Sequence, residues 1–242
     1  MVMIKGHTKV HIVPVAFEID RAIKPVRENG ADKVYILTGA QEGEGPRSSL
    51  YAQEVKRALE KEAEVEIVNY GFYDYANIFS RLVGIGRKEQ GNDVLINLSS
   101  GGHIVSIAGT LAASMFGWTP YYVEPKVYNI DRGKPEGMTS GVKRVFEIRT
   151  YPIEKPEDEL VECLKLVEGV QTQKSLMQKL EKKGLLRDEK PGDMLSKRAQ
   201  MEFRRRFLEP LLEKGWLVKD GRGKRSRLEI SEAGKEIVKI FE

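Results

Sequence analysis

Between Lys9 and about Glu124 the chain alternates short apolar runs with longer amphipathic segments. Residues 10–16, 33–38, 64–70, 93–98 and 119–124 each hold mostly β-branched or aromatic residues between turn or charge signals, which predicts five strands. Residues 17–28, 48–62, 75–90 and 102–116, lying between them, predict helices. In the second of these, Leu50, Val55, Ala58 and Leu59 share one helical face, with Glu54, Lys56, Arg57 and Glu60 turned away. Regular strand–helix alternation implies an α/β class: a Rossmann-like, mainly parallel sheet covered by helices on both faces. Ligands of such sheets bind beyond the C-terminal ends of the strands.

After Val123 the pattern changes. Residues 126–130 and 142–148 are strand-like and flank the charged, glycine-containing stretch 131–137, as a hairpin added to the sheet edge would. Residues 150–156 place two prolines among charges and read as a linker, giving domains 1–150 and 151–242. In the second domain helices are expected at 157–167, 172–183 and 196–214, the third ending at Gly215. The segments 216–218 and 228–230 then bracket the basic stretch 219–227 as strands of a wing would, and a last helix, 232–241, follows the N-cap candidate Ser231. Three helices, a two-stranded wing and a closing helix predict a C-terminal winged helix-turn-helix.

On the third of these helices Ala199, Phe203, Phe207 and Leu211 recur every four residues as a core stripe, while Lys197, Arg198, Arg204, Arg205 and Arg206 occupy the other faces. A recognition helix needs this division, with guanidinium groups presented to phosphates and guanine edges. Arg222, Lys224, Arg225 and Arg227 of the wing suit phosphate contact. The competing reading of the arginine run is an ordinary solvated face. Pro210 is expected to kink the helix or split off its last turn.

Charge sharpens this division. The net charge of +4 over 242 residues conceals a basic block: residues 171–235 carry 18 Lys and Arg against 10 Asp and Glu, and the remainder 22 against 26. Such a block beside a mildly acidic body points to a polyanion, here double-stranded DNA. Heavy Lys and Glu use with a single Cys fits a thermophile. No run approaches 18 apolar residues and no signal pattern opens the chain, so a cytoplasmic protein without a membrane partner is expected. Cys163, set among Leu160, Leu164 and Val167, reads as core.

The candidate chemistry centres on Asn97-Leu98-Ser99-Ser100-Gly101-Gly102-His103, between an apolar strand and a small-residue helix. Backbone N–H groups, two hydroxyls and a helix N-terminus meet there, the makings of an anion site. Other loops at the same edge add candidates. Phe17 can stack on a base or pack in the core. Gly39, Arg47 and Ser48 border a glycine-rich loop that can wrap a phosphodiester or simply connect, with Ser48 as helix cap. The aromatic cluster in residues 70–75 suits base stacking or a dimer interface.

This heptapeptide resembles the signature Asn-x-Ser/Thr-Gly/Ser-Gly-Thr/Asn-Lys/Arg of CARF (CRISPR-associated Rossmann fold) domains, with His103 where that family has Lys or Arg. Joined to a winged helix, the chain is similar to archaeal CRISPR-linked transcription regulators of antiviral defence. The resemblance implies a homodimer whose two CARF domains bind one cyclic oligoadenylate, typically cyclic tetra-adenylate, across the two-fold axis. Asn97, Ser99, Ser100, Gly101, Gly102 and His103 then line the ligand, no other cofactor or metal being implied. It leaves open slow cleavage of the bound ring, for which the pocket aligns a ribose 2′-hydroxyl with its neighbouring phosphate and Ser99, Ser100 or His103 stabilises charge. A constitutive nucleic-acid binder whose Rossmann-like part only dimerises is the other alternative. Dehydrogenase chemistry lacks its Gly-x-Gly-x-x-Gly after the first strand, and serine hydrolysis its nucleophile elbow. His7, His11 and His103 show no metal-ligand spacing.

Overall fold

The computed structural model of the chain describes residues 7–40, 47–71, 73–129, 138–187, 196–221 and 226–241. The chain divides into two compact units, Met1–Glu154 and Lys155–Glu242.

The first unit is built on β1 (Lys9–Pro14), β2 (Lys33–Ala40), β3 (Glu64–Gly71), β4 (Asp93–Asn97), β5 (Thr119–Tyr128) and β6 (Thr139–Glu147). Their order is β3-β2-β1-β4-β5-β6, and only the β5–β6 pairing is antiparallel. The chain runs outward from β1 to β3, then returns to the far side of β1, so β1 and β4 flank the point where the order reverses. This is the doubly wound arrangement of a Rossmann-like sheet. The helices are α1 (Asp20–Asn29), α2 (Arg47–Leu59), α3 (Tyr75–Lys88) and α4 (His103–Phe116). Val13, Val34 and Ile36 of the sheet form one core with Ala22, Val26, Ala52, Val55 and Leu59 of α1 and α2. On the other face α4 lies close against β4, because a Cβ on Gly109 would stand 3.0 Å from Ile96 Cδ1 and 2.7 Å from Leu98 Cδ2 just beyond the strand.

Two expectations for this unit are corrected. Residues 126–128 pair antiparallel with β6 at the sheet edge, as the expected hairpin requires, but they are not a separate strand: β5 continues through Pro125 to Tyr128, and a register shift between Glu124 and Pro125 absorbs the proline. The connection expected at 131–137 lies outside the described residues. Leu50 is 68% exposed and does not share the buried face of α2 with Val55 and Leu59.

The second unit contains α5 (Asp158–Lys165), β7 (Gln171–Thr172), α6 (Gln173–Lys182), α7 (Lys197–Phe203), a π-helical turn (Arg204–Leu208), α8 (Glu209–Glu213), β8 (Leu217–Asp220), β9 (Arg227–Ile230) and α9 (Glu232–Phe241). Its three-stranded sheet runs β7-β9-β8. Ala199, Phe203, Phe207 and Leu211 are all buried with Leu160, Cys163, Leu176, Leu180 and Leu228 in one core. The third expected helix is split, as Pro210 foreshadows. Glu209 N–H reaches five residues back to the Arg204 carbonyl, so the helix passes through a wider turn just ahead of the proline. The two-residue strand β7 was not signalled by the sequence, being too short to show periodicity. Ser231 caps α9, accepting from Gly234 N at 3.0 Å. Among the described residues no helix is long and apolar enough to cross a membrane.

Candidate functional site

The loop from β4 to α4 lies at the C-terminal edge of the sheet, beside the end of β1, where the strand order reverses. It is braced from several sides. Asn97 is fully buried and donates its Nδ2 to the Arg21 carbonyl at 2.8 Å. Its Oδ1 accepts from Ser99 N at 2.9 Å and from Ser99 Oγ at 2.5 Å. Ser99 Oγ in turn accepts from the backbone N–H of Val123 at 2.7 Å, and the Val123 carbonyl accepts from Arg21 Nε at 2.8 Å. Asn97, Ser99, Val123 and Arg21 therefore close a ring of hydrogen bonds joining the loop, β5 and α1.

Arg21 is itself buried against Glu18, its Nη1 donating to both carboxylate oxygens at 2.9 and 2.7 Å, with its guanidinium over the Tyr122 ring. Burial pushes the Glu18 carboxyl above its ordinary value, opposing the pull of Arg21. Sequence reasoning missed this pair. The visible signal was Pro25 inside α1, which cannot donate to the Arg21 carbonyl and so leaves it for Asn97.

Beyond Ser99 the loop is fastened to β1 and β3. Ser100 Oγ accepts from Ala16 N at 3.3 Å, and Tyr70 Oη donates to the Gly101 carbonyl at 3.3 Å. Burial pushes the Tyr70 phenol up to about 12, so it remains a donor. Gly101 has φ +87°, and a Cβ there would stand 2.6 Å from Pro14 Cβ. Gly102, at φ +89° and ψ 167°, is the N-cap of α4 and brings no side chain to its first-turn N–H groups. Gly102 and His103 are exposed. The arrangement thus places the first turn of α4, the exposed imidazole of His103 and the half-buried Ser100 at the outer rim, an array suited to an anion.

The remaining ligand candidates divide in the same way. Asn97 and half-buried Ser99 are engaged as braces of the loop. Gly39 and Ser48 are buried and bond each other, Ser48 Oγ to the Gly39 carbonyl at 3.4 Å. Ser48 lies inside the first turn of α2 and is not its cap. Arg47 opens α2. Phe17 is half-buried and meets Tyr51 edge-on at 5.8 Å. Of the aromatic cluster, Tyr70 is buried, Tyr73 is exposed and Tyr75 stacks on Phe79; Phe72 lies outside the described residues. Among the described residues no cluster of His, Cys, Asp or Glu could hold a metal ion.

In the second unit Arg198, Met201, Glu202, Arg204, Arg205, Arg206 and Glu209 line an open groove of about 800 Å³ along α7 and the π-helical turn. Lys197, Arg198, Arg204 and Arg205 are exposed. Arg204 pairs with Glu209 at 2.7 Å. Arg206 is drawn inward: it pairs with Glu159 of α5 at 2.6 Å and with Glu202, and these carboxylates, Glu159 first, hold its guanidinium above the ordinary value. Arg206 therefore ties α5 to this helix. Arg227 is exposed on β9; Arg222, Lys224 and Arg225 lie outside the described residues.

Residues 9–128 match the model of a family described as "HFX_2341_N:-like, N-terminal". An uncharacterized protein of Archaeoglobus fulgidus is 27% identical over 243 residues, which span 96% of this chain and 98% of that one. Among solved structures, Can2 from Sulfobacillus thermosulfidooxidans in complex with cyclic tetra-adenylate is similar over 95% of this chain and 63% of its own, with TM-score 0.43 and 11% identity. Enterococcus italicus Csm6 bound to cyclic hexa-2'-fluoro-hexa-dAMP is similar over 74% of this chain and 49% of its own, with TM-score 0.43 and 13% identity. The chain thus spans less than two thirds of either solved chain. The strand order and the position of the loop define the first unit as a Rossmann-like α/β sheet with a candidate anion site at its switch point.

Proposed function

We propose that the chain is a ligand-responsive transcription regulator of CARF type, acting as a homodimer. Its first unit binds a cyclic oligoadenylate, cyclic tetra-adenylate in the first instance, and its second is a winged helix-turn-helix on double-stranded DNA. The observation that carries the sensor reading is the Asn97–His103 loop. The motif that resembles the CARF signature stands at the switch point of the sheet, where Gly102, the N-cap of α4, brings no side chain to the first turn and His103 is exposed beside it. A phosphodiester ring supplies several anionic oxygens to such a rim, and two rims related by a two-fold axis suit a symmetric ring.

The DNA reading is supported by element order and charge. Helix, short strand, helix, helix, two strands and helix follow one another in the second unit, and the arginines of the split helix border a groove. Ligand binding alters DNA affinity only to the extent that the ligand prefers one dimer geometry. Calorimetric titration of the full chain with cyclic tetra-adenylate tests the reading. The expected result is one ring per two chains, with at least tenfold weaker binding by His103→Glu, whose carboxylate repels the phosphates; no heat of binding, or equal affinity in the variant, overturns it.

A further inference from the structure

In the middle of the arginine-lined groove stands an apolar side chain with no place in a phosphate-binding surface. Met201 is 73% exposed on α7, three residues after Arg198 and four before Arg205, so the three share one helical face. The core stripe of this helix is complete without it, since Ala199, Phe203, Phe207 and Leu211 are all buried. An exposed, unbranched thioether between guanidinium groups is poorly placed for solubility and well placed to touch a small apolar group on an anionic partner. The base edges of the major groove offer one such group, the C5 methyl of thymine, flanked on both sides by phosphates.

The charge around Met201 selects the same partner. Four arginines line the groove against two glutamates, and both glutamates are already paired, Glu202 with Arg206 and Glu209 with Arg204. Arg206 is turned towards Glu159 and Glu202, while Arg198 and Arg205 are exposed and line the same groove as Met201. We propose that Met201 is a specificity-determining residue that reads a thymine methyl in the major groove, with Arg198 and Arg205 setting its register on the flanking backbone. This rests on the reading of the second unit as a duplex-DNA binder.

The test begins by enriching duplexes from a random library on the full-length chain at fixed salt. The enriched duplex is then resynthesised with each thymine in turn replaced by deoxyuridine, which lacks only the methyl, and its affinity is measured for the wild type and for Met201→Ala. The expected result is one thymine per half-site whose replacement weakens wild-type binding about 4-fold, the weight of one buried methyl. The same replacement should leave Met201→Ala nearly unchanged. A tight duplex in which every replacement is neutral, which holds no thymine, or whose uridine penalty persists undiminished in Met201→Ala, overturns the role of Met201 alone. Failure to enrich any duplex overturns the DNA reading and this inference with it.

Discussion

Asn97 donates its side-chain amide to the backbone carbonyl of Arg21 at 2.8 Å, an acceptor that Pro25, four residues further along α1, has no N–H to serve. The proline creates a vacancy inside a helix, and the last residue of β4 fills it. Because Asn97 also accepts twice from Ser99, one buried side chain fixes both α1 and the candidate ligand loop.

Replacing Asn97 with Ala strands the Arg21 carbonyl and the Ser99 amide and hydroxyl. Each unsatisfied buried group costs about 1–3 kcal/mol, so a loss of roughly 2–4 kcal/mol is expected, partly relieved by water. Ser99→Ala, which removes the acceptor for Val123 N–H, should cost about 1–2 kcal/mol. Urea denaturation of both single variants and the double variant checks this; strictly additive losses would show that the two residues do not act as one brace.

Gly101 and Gly102 have similar φ values and different surroundings. Ala at either position meets backbone strain of about 1–3 kcal/mol. At 101 the added methyl also collides with Pro14, whereas at 102 it faces open space. Gly101→Ala should therefore melt at a clearly lower temperature than Gly102→Ala; equal melting temperatures would contradict the packing described.

His11 is buried at the centre of the sheet, with Nδ1 3.3 Å from Tyr121 Oη. Burial, helped by Lys9 and opposed by Asp93, lowers it from 6.5 to about 4. The unfolded chain then binds the proton more readily than the folded one between these values. Stability is fully present above pH 6.5 and falls as the pH drops towards 4, by roughly 3 kcal/mol. In His11→Gln that part of the pH dependence should vanish; an unchanged slope between pH 6.5 and 4 would assign it to other groups.

Arg205 and Arg206 are neighbours in sequence with opposite expected phenotypes. Arg205→Ala should leave thermal stability unchanged and lower the salt dependence of DNA binding by about 0.9 for each phosphate that the guanidinium neutralises. Arg206→Ala breaks pairs to Glu159 and Glu202 and should cost about 1 kcal/mol of stability. Melting curves and salt titrations of the two variants separate these outcomes.

Cys163 lies in the core of the second unit, where burial pushes its thiol up to about 12. With no accessible thiolate, the native protein should resist iodoacetamide for hours and take one label per chain only after denaturation. Rapid native labelling would show that this core opens readily.

Much of the fold was legible in the periodicity. Five strands, four intervening helices and the parallel order follow from alternating patterns that burial on both faces of a sheet enforces. The misreadings have local causes. The strand expected to end at Glu124 continues to Tyr128, because a register shift accommodates Pro125 within β5; β7 has only two residues and exists because β9 is there to pair with it. At the candidate site the Gly-Gly turn before α4 was legible because two positive φ values require glycine. The hydrogen-bond ring was not, since Val123 lies 24 residues from Ser99 and Arg21 lies 76 from Asn97. Nor could the sequence separate Arg205 from Arg206, a distinction made by a glutamate 47 residues away.

The missing N–H of Pro25 also sets how this protein can change. A non-proline residue at 25 restores an internal donor to the Arg21 carbonyl, after which the Asn97 amide competes for an acceptor already served. Pro25, Asn97 and Ser99 are thus one coupled unit: the gap in the helix ladder at residue 25 and the anchor of the candidate ligand loop are the same hydrogen bond, so a change at any of the three is felt at the other two.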